Sequence, residues 1–557
     1  MKKYISFFLI TGYLLHTAHL CFSQWNINPA VNTPLSIKPN DQQSSDIASD
    51  EKGGAIIVWE DFRVNDSIAD IYVQRVDRNG YVMWTVDGVN ICAHDSDQGT
   101  VEIIADGSGG AIFSWNDHRS GDRDIYAQRV DSSGNVLWAP NGVPVSPPGK
   151  MFDQRDSKLT SDGHGGAIIV WQDSAILSKW DIYAQRIDSA GNQVWASVGI
   201  PVTDDPKTQL RPKIRADGVG GAFIVWQDKI LGKYNIFAKR VNSSGTTVWG
   251  GQYGDPVCAA VRGQSYPIMK SDGAGGMIIA WLDKRNLPVG IDSVYDVFAQ
   301  RVNSAGTMLW QNDGVPVSVS DSSQENIDMT TDGVNGTIFV WKDNRNGNWD
   351  IYAQLIDPAG NPRWTTNGIP VNPTSFKQSD PSIIGDRKGG SIIAYKDSSS
   401  GNNDIYSVRI DSTGNILWTS PVATADSSQS EPRTVSDGIG GCIYSFEDKR
   451  SGAWDMYAHH LYWNGTNDAI PESMAFFQSS CFPNPFSFSA NIEFFAPHPE
   501  NVHFSVFNLF GTKIDIPFAI SRNRITLWKG NTTNGIYFYE IRTKHNGISK
   551  GKLILTD

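Results

Sequence analysis

The fold is decided by a motif whose clearest copy reads Gln209-Leu-Arg-Pro-Lys-Ile-Arg-Ala-Asp217-Gly-Val-Gly-Gly221-Ala-Phe-Ile-Val-Trp226-Gln-Asp228. This copy continues as Asn235-Ile-Phe-Ala-Lys-Arg240-Val and ends at a second tryptophan, Trp249. The motif occurs eight times, with its Gly-Gly pairs roughly 55 residues apart. That spacing is long enough for four strands and their turns, which predicts a β-rich repeat architecture.

Each copy indicates four strands separated by turn residues. The Asp-Gly-x-Gly-Gly segment is typical of a tight hairpin, because glycine adopts the positive φ that such turns need. The following apolar run ends in an aromatic residue and is continuous rather than alternating, so both of its faces are expected to be buried. Blades stacked face to face provide that burial. We therefore predict an all-β fold, an eight-bladed β-propeller followed by a small immunoglobulin-like β-sandwich.

The two ends of the repeat array indicate how the ring closes. The last repeat stops after Asp455–Leu461 without an outer strand, whereas the segment from Trp25 to Leu35 matches an outer strand and precedes the first repeat. The outer-strand tryptophans are thus as numerous as the repeats: Trp25, Trp84, Trp138, Trp195, Trp249, Trp310, Trp364 and Trp418. We expect the N-terminal strand to complete the last blade and leave no open edge.

The N-terminus has the layout of a cleaved secretory signal over residues 1–23, with Lys2 and Lys3 followed by an apolar stretch and a small residue at Ser23. Removing it would change the formal net charge from −12 to −14. So acidic a chain argues against nucleic acid as a partner, and no later apolar stretch predicts membrane insertion. Cys21 would leave with the signal, and Cys92, Cys258, Cys442 and Cys481 have no paired spacing, so we expect free, buried thiols.

The C-terminal segment differs in composition from the repeats. It contains Pro483-Asn484-Pro485-Phe486, Val506-Phe-Asn-Leu-Phe-Gly511, Gly535-Ile-Tyr537-Phe-Tyr-Glu-Ile541 and Gly551-Lys-Leu-Ile-Leu555. In these motifs it resembles the C-terminal sorting domain of proteins exported by the type IX secretion system of Bacteroidetes-like bacteria. The alternative is an ordinary immunoglobulin-like module.

The resemblance implies an address for export that the type IX secretion machinery reads. It implies a secreted protein, released or attached to the outer cell surface, and it says nothing of the chemistry of the repeats. The sorting-motif residues are then Pro483, Asn484, Pro485, Gly511, Gly535 and Tyr537. The predicted boundaries are a propeller over 24–466, a linker over 467–480 and a sorting domain over 481–557.

Two polar positions recur in all eight repeats. The first is Gln42, Gln98, Gln154, Gln209, Gln264, Gln324, Gln378 and Gln429. Each side chain either lines the channel mouth or, in the interpretation we favour, hydrogen-bonds the backbone of a neighbouring blade. The second is Asp61, Asp117, Asp173, Asp228, Asp283, Asp343, Asp397 and Asp448.

Five of these aspartates are followed two residues later by an arginine: Arg63, Arg119, Arg285, Arg345 and Arg450. We expect the aspartates to cap loop amides or to pair with these arginines. Calcium binding through their oxygens is the alternative, although the dense acidic loop of calcium sites is absent from the sequence. We therefore predict no cofactor.

The candidate ligand-binding residues are less regular. Five loops place an aromatic residue just before the third strand: Trp180, Tyr234, Tyr295, Trp349 and Trp454. Such rings suit the apolar faces of sugars, and the alternative is that each ring packs its own loop onto the blade. The longest of these loops, from Lys284 to Tyr295, breaks the symmetry of the repeat, and we expect a specific site there.

No catalytic residue is predicted, because the sequence contains no nucleophile elbow, zinc-protease motif, dinucleotide fingerprint or phosphate loop. The favoured hypothesis is a noncatalytic propeller that binds glycans or proteins and mediates adhesion. The alternative is a polysaccharide-active enzyme, a glycoside hydrolase or lyase, that uses acidic residues of the channel. A third hypothesis is a purely structural component of the cell envelope.

Overall fold

The structure, a computed structural model, describes residues 25–149, 152–176, 179–203, 205–286, 294–334, 336–466, 479–482, 484–494, 502–521, 524–543 and 548–557. The predicted signal, Cys21, most of the predicted linker and Pro483 lie outside these residues, as does most of the loop between Lys284 and Tyr295. The chain divides into two compact units, residues 1–467 and 468–557.

The described part of the first unit is built from strands alone. In chain order they are β1 (Thr33–Ser36), β2 (Gln42–Ser49), β3 (Ala55–Asn65), β4 (Ile68–Val76), β5 (Val89–Cys92), β6 (Gln98–Ala105), β7 (Ala111–Asp117), β8 (Asp124–Val130), β9 (Val143–Pro144), β10 (Gln154–Ser161), β11 (Ala167–Ile176), β12 (Lys179–Ile187), β13 (Ile200–Thr203), β14 (Gln209–Ala216), β15 (Ala222–Ile230), β16 (Lys233–Val241), β17 (Thr247–Trp249), β18 (Asp255–Cys258), β19 (Gln264–Ser271), β20 (Met277–Asp283), β21 (Asp296–Val302), β22 (Val315–Ser318), β23 (Gln324–Thr331), β24 (Thr337–Asp343), β25 (Asp350–Ile356), β26 (Ile369–Pro370), β27 (Gln378–Gly385), β28 (Ser391–Asp397), β29 (Asp404–Ile410), β30 (Ile416–Ala423), β31 (Gln429–Ser436), β32 (Cys442–Asp448) and β33 (Asp455–Leu461).

These strands form eight antiparallel sheets, one for each repeat, which we number as blades in chain order. The first blade has the order β2-β3-β4-β5, and the next six repeat this arrangement. In the fourth blade the outer position is shared by β17 and β18, which both pair with β16. The predicted all-β propeller fold is confirmed.

The innermost strands of the blades form a closed ring. Each of β2, β6, β10, β14, β19, β23, β27 and β31 contacts the next, and β31 contacts β2. The eighth sheet has the order β1-β33-β32-β31, so its outer strand comes from the N-terminus, with Thr33 opposite Ala458. The enclosed space, which we call the lumen, is therefore surrounded by eight strand edges.

The tryptophans predicted on the outer strands hold each blade against the next, although only Trp249 and Trp418 lie within a strand and the other six precede one. Trp84 lies against Gly134 of the second blade, where an added Cβ would come within 2.8 Å of the indole ring. The Trp84 indole N–H also donates to the carbonyl of Ser132, 3.2 Å away. Trp25 repeats this contact on Gly80 and donates to Arg78 at 3.0 Å. A segment from the N-terminus thus joins the eighth blade to the first.

The second unit contains β34 (Ser479–Phe482), β35 (Ser489–Phe494), β36 (Val502–Phe507), β37 (Lys513–Ile514), β38 (Phe518–Ser521), β39 (Arg524–Trp528), β40 (Gly535–Thr543) and β41 (Ile548–Leu555). These strands form two four-stranded sheets, β34-β35-β39-β38 and β37-β36-β40-β41. Ile492 and Leu527 of one sheet share a core with Val506 and Ile541 of the other. The predicted small β-sandwich is confirmed.

None of the described cysteines forms a disulfide bond. Cys92, Cys258 and Cys442 are buried, as predicted, whereas Cys481 is half-buried and therefore less enclosed than expected. None of the described segments forms a helix long and apolar enough to cross a membrane.

Candidate functional site

The recurrent glutamines form hydrogen bonds that hold the preceding loop and the neighbouring blade. All eight are buried, so their amide groups do not line the channel mouth. The side chain bonds the loop just before it, as when Gln154 donates to Phe152 at 2.6 Å and Gln324 to Ser322 at 2.6 Å. The predicted bond to the neighbouring blade is instead made by the main chain, whose N–H in Gln324 donates to Tyr295 at 2.9 Å. Gln378 makes both kinds of bond, since its side chain donates to Asn372 of the preceding loop at 2.6 Å and accepts from the backbone of Ile351 in the preceding blade at 3.1 Å.

Five of the recurrent aspartates are bonded to an arginine of their own blade, and Asp117 shows the arrangement. The Asp117 carboxylate accepts from the Trp115 indole at 2.9 Å and forms two bonds with the Arg119 guanidinium, at 2.6 and 2.8 Å. The guanidinium lies 3.9 Å from the centre of the Tyr126 ring. Burial alone would raise the pKa of Asp117, but the bonds from Arg119 and Trp115 outweigh it and lower this pKa. The expected pairing of aspartate with arginine is found in all five blades that have the arginine.

A calcium ion would need several oxygen ligands from these carboxylates or from nearby groups. Within the described ranges, no group of three or more histidine, cysteine, aspartate or glutamate side chains is arranged to hold a cation. At Asp117, the carboxylate oxygens are bonded to the Trp115 indole, the Arg119 backbone N–H and the Arg119 guanidinium. Calcium binding stays the alternative for the recurrent aspartates.

The five candidate aromatic residues are all half-buried, and each has a basic side chain over its ring. The distances from cation to ring centre are 4.0 Å for Arg155 over Trp180, 6.0 Å for Lys229 over Tyr234, 4.8 Å for Lys284 over Tyr295, 4.1 Å for Lys342 over Trp349 and 5.5 Å for Lys449 over Trp454. A sugar that stacks on the same face must first displace that cation. The rings therefore do not form one continuous platform, and they lie in five different blades.

Sequence reasoning missed a ring of eight residues that surrounds one end of the lumen. In every blade, the residue two positions after the recurrent glutamine has a left-handed backbone, with φ between 50° and 58°. This residue lies in a β-bulge of the innermost strand. We call these eight residues the bulge ring: Ser44, Thr100, Asp156, Arg211, Tyr266, Asn326, Asp380 and Glu431. None is glycine, so only the variability of this position in an otherwise regular repeat could have revealed it.

A cavity of about 470 Å³ opens at this ring, between the third and sixth blades. We call it the channel-mouth cavity. Its lining includes Asp156, Arg211, Tyr266 and Asn326 of the bulge ring, together with Tyr295 from the asymmetric loop. Lys158, Lys213 and Glu325 add three more charged groups. Of the five candidate aromatic residues, Tyr295 is the one that lines this cavity.

Two tyrosines define the aromatic part of the cavity. Tyr266 retains 45% of its surface exposed, and the Arg211 guanidinium lies 4.0 Å from its ring centre. Tyr295 is half-buried and packs against the apolar core of the fifth and sixth blades. An aromatic wall beside carboxylates, an amide and three cations can contact both the apolar face and the hydroxyl groups of a sugar.

The bulge ring is tied together by side chains of the preceding blades. The backbone N–H of Ser44 donates to Glu447 at 2.7 Å and that of Thr100 to Glu60 at 2.6 Å. On the fourth and fifth blades the acceptor is a glutamine. The backbone N–H of Arg211 donates to Gln172 and that of Tyr266 to Gln227, both at 3.0 Å. Burial raises the pKa of Glu60 to about 7, Asp97 raises it further, and the bond from Thr100 opposes the shift. Burial likewise raises the pKa of Glu447 to about 7.

We expect Glu60→Gln to stabilise the propeller at pH 8 by about 1 kcal/mol and to have little effect at pH 5. The pKa of Glu60 is higher in the folded chain, about 7 against 4.5, so its contribution to stability is lost as the pH rises through this window. Glutamine keeps the acceptor that Gln172 already provides in the third blade, without the charge. Denaturant unfolding at both pH values measures the difference. Gln172→Glu is the reverse control and should lose stability at pH 8; an unchanged pH dependence in both variants would contradict this account.

The sorting-motif residues hold the end of the chain in the second unit. The Asn484 side chain donates to Lys552 and accepts from Ile554, both at 2.7 Å. Tyr537 donates to Thr533 at 2.9 Å. Gly511 has a φ of 78° in the turn after β36, and Gly535 begins β40. Pro485 follows Asn484, whereas Pro483 lies outside the described residues.

Residues 480–556 match the family model described as the secretion system C-terminal sorting domain. The chain is therefore a cargo of the type IX secretion system, with its destination at the cell surface or in the extracellular space. The match covers only the second unit and does not concern the chemistry of the propeller. No curated protein matches the sequence.

Solved structures resemble the chain only distantly. An endo-arabinase from Bacteroides thetaiotaomicron is 15% identical with a TM-score of 0.27, over 53% of this chain and 99% of its own. Prolyl oligopeptidase B from Galerina marginata is 14% identical with a TM-score of 0.40, over 73% and 56%. An ulvan lyase of family PL25 is 9% identical with a TM-score of 0.41, over 80% and 97%. Likeness at this level carries no conclusion about function.

Proposed function

We propose that this protein is a noncatalytic propeller of the cell surface or the extracellular medium that binds a glycan in the channel-mouth cavity. The observation that carries the proposal is the cavity itself, where Tyr266 and Tyr295 lie beside Asp156, Asn326 and Glu325. A volume of about 470 Å³ falls in the range of small-ligand sites and suits a few sugar rings. A concave site of this size fits a saccharide better than the broad, flat surface that protein partners usually bury.

A glycan-active enzyme is the second candidate, because the same cavity contains groups that can transfer protons. Asp156 and Glu325 both line it. Burial lowers the pKa of Lys213 to about 8, and the positive charge of Lys158 lowers it further. A lysine that titrates near neutral pH can act as a general base. Incubation with polysaccharides, followed by measurement of new reducing ends, separates cleavage from binding alone.

We expect Tyr266→Ala and Tyr295→Ala each to weaken glycan binding by about 10-fold, because each removes one aromatic contact with the sugar. The ligand is first selected by screening the secreted chain on a glycan array, and affinity is then measured by calorimetry. Tyr234→Ala is the matched control, since Tyr234 occupies the same repeat position one blade earlier and does not line the cavity. Absence of any bound glycan, or equal affinity in all three variants and the native chain, would refute the proposal.

A further inference from the structure

Charged side chains are unevenly distributed among the blades that surround the lumen. The innermost strands place side chains there at the fourth and sixth positions after each recurrent glutamine. On the first and second blades these include Asp46 and Glu102, whereas on the fourth and fifth they are Lys213, Arg215 and Lys270. The charge of Arg215 interacts with Glu102, Asp328 and Asp46 of three other blades, so these groups face one common space. The remaining charged residues at these positions are Lys158, Asp328 and Arg433 on the third, sixth and eighth blades, so the cations are concentrated on the third to fifth blades, which we call the basic side.

Other cations of the lumen have close carboxylate partners. Lys158 forms a salt bridge with Glu102, and Arg433 pairs with Glu431 at 2.9 Å. Among the residues that the structure describes, Lys213, Arg215 and Lys270 form no salt bridge. The Arg215 guanidinium bonds only the carbonyl of Ile214, at 2.9 Å. Among the described residues, the basic side of the lumen therefore contains three cations without a carboxylate at salt-bridge distance, although Glu102, Asp328 and Asp46 attract Arg215 from farther away.

Arg215 repels both lysines. Burial lowers the pKa of Lys270, while the charge of Asp328 opposes this shift and that of Arg215 adds to it. Burial and the charge of Lys158 lower the pKa of Lys213 to about 8, while Glu102 opposes the shift and Arg215 adds to it. Like charges brought together in a poorly solvated space are unfavourable unless an anion joins them. Clustered cations with free donors are the arrangement by which proteins bind carboxylate, sulfate or phosphate groups.

The basic side of the lumen is continuous with the cavity. Lys213 lines the channel-mouth cavity, and Arg215 follows it by two residues on the same innermost strand. Arg211, two residues before Lys213 on that strand, adds a fourth cation at the rim. A ligand that lies against Tyr266 and Tyr295 can thus direct a substituent towards these charges. The acidic residues on the far side disfavour a second anion there.

We propose that Lys213, Arg215 and Lys270 form an oxyanion-binding site, and that the glycan bound in the channel-mouth cavity is acidic, bearing carboxylate or sulfate groups. The second part rests on the proposed glycan-binding function, whereas the first does not. The shared chemistry is that of an oxyanion, which reaches the site either as a free ion or as a substituent of a saccharide. Net negative charge of the whole chain makes such a basic site a local exception rather than a general property.

The first experiment uses inorganic sulfate as the probe and the secreted full-length chain. We expect sulfate to raise the melting temperature in a saturable way, beyond chloride at the same ionic strength. Lys213→Gln and Lys270→Gln should weaken this sulfate response by about 10-fold, and Lys233→Gln should not. Lys233 is the control because it is an exposed lysine of the fourth blade, at the start of β16. A sulfate effect equal to that of chloride, or one retained in both lumen variants, overturns the site.

Misfolding of a variant can be distinguished from the loss of its sulfate response. Without sulfate, Lys213→Gln and Lys270→Gln are expected to melt at or above the temperature of the native chain, because each removes a repelling charge. A variant that responds to sulfate less and is itself no less stable has lost an anion site. If a variant is strongly destabilised without sulfate, its lysine stabilises the fold itself, and this result counts against the proposal.

The second experiment separates the two sources of the oxyanion. The chain is titrated with polygalacturonate, with its carboxyl-reduced form, with dextran sulfate and with unmodified dextran. We expect an acidic polymer to bind at least 10-fold more tightly than its neutral counterpart, with this preference lost in Lys213→Gln. Binding of sulfate together with a preference for neutral polymers overturns the acidic glycan and leaves a free-ion site. Glycan binding without any sulfate effect or acidic preference overturns the whole inference while the proposed function survives.

Discussion

Deletion of residues 25–35 is expected to lower the melting temperature of the propeller by more than about 10 °C. The deletion removes most of β1, the outer strand of the eighth blade, and with it the buried side chains of Trp25 and Leu35. The edge of β33 that pairs with β1 then becomes exposed. Thermal unfolding followed by circular dichroism measures the change.

Several contacts beyond the strand pairing depend on this segment. The Arg450 guanidinium donates to the carbonyls of Ala30 and Val31, at 3.0 and 2.7 Å. The Asn32 side chain donates to Val422 of the seventh blade at 2.7 Å. Their loss leaves the buried Asp448–Arg450 pair partly unsatisfied, which adds to the cost of the lost apolar burial.

The control separates ring closure from the loss of one tryptophan. Trp195→Ala removes an equivalent ring from the third blade, where the chain remains continuous on both sides. It should cost less than the deletion. A synthetic peptide of residues 25–38, added to the deleted chain, should restore much of the stability. Equal melting temperatures for the deleted and native chains would show that residues 25–35 do not close the ring.

Asp117→Ala is expected to destabilise the propeller by about 3 to 5 kcal/mol, because it leaves the Arg119 guanidinium and the Trp115 indole N–H without their shared acceptor. Arg119 then contributes an uncompensated charge beside a buried core. Denaturant unfolding gives the loss as a shift in midpoint at constant slope.

The seventh blade offers the matched comparison. Asp397 occupies the same position but is followed by Ser399, whose backbone N–H donates to it at 2.8 Å. Since no guanidinium depends on this carboxylate, Asp397→Ala should cost about 1 to 2 kcal/mol. Arg119→Met in the Asp117→Ala background should recover much of the larger loss. Similar costs for Asp117→Ala and Asp397→Ala would mean that the arginine pair is not the cause.

Much of the fold could be predicted from the sequence because the information is local and repeated. The apolar run before Trp226 requires burial on both faces, the Gly-Gly pair marks a hairpin, and the absence of a final outer strand after Leu461 is matched by the segment at Trp25. Repetition lets each weak signal be read eight times. The sorting domain was recognised in the same way, from short motifs in a fixed order, and the family match bears this out.

The candidate site was predicted less well. Tyr295 was identified because its loop breaks the repeat, and it does line the channel-mouth cavity. Tyr266 and Arg211 were missed, since they occupy a strand position that has no preferred residue type. Trp180, Tyr234, Trp349 and Trp454 were grouped with Tyr295 by sequence position, although they do not line the cavity that contains it.

By itself, the sequence determined the strands, their order within each blade, the closure of the last blade by the N-terminal strand, and the export domain. Each of these depends on patterns within one repeat or at the two chain ends. Only the tertiary structure decided which side chains share the lumen. Arg215 and Asp46 are far apart in the chain, and their charges interact only because the ring closes. The bulge ring was also beyond the sequence, since its left-handed backbone is imposed by pairing with the second strand and not by glycine. The proposed binding sites therefore lie where residues of different blades meet.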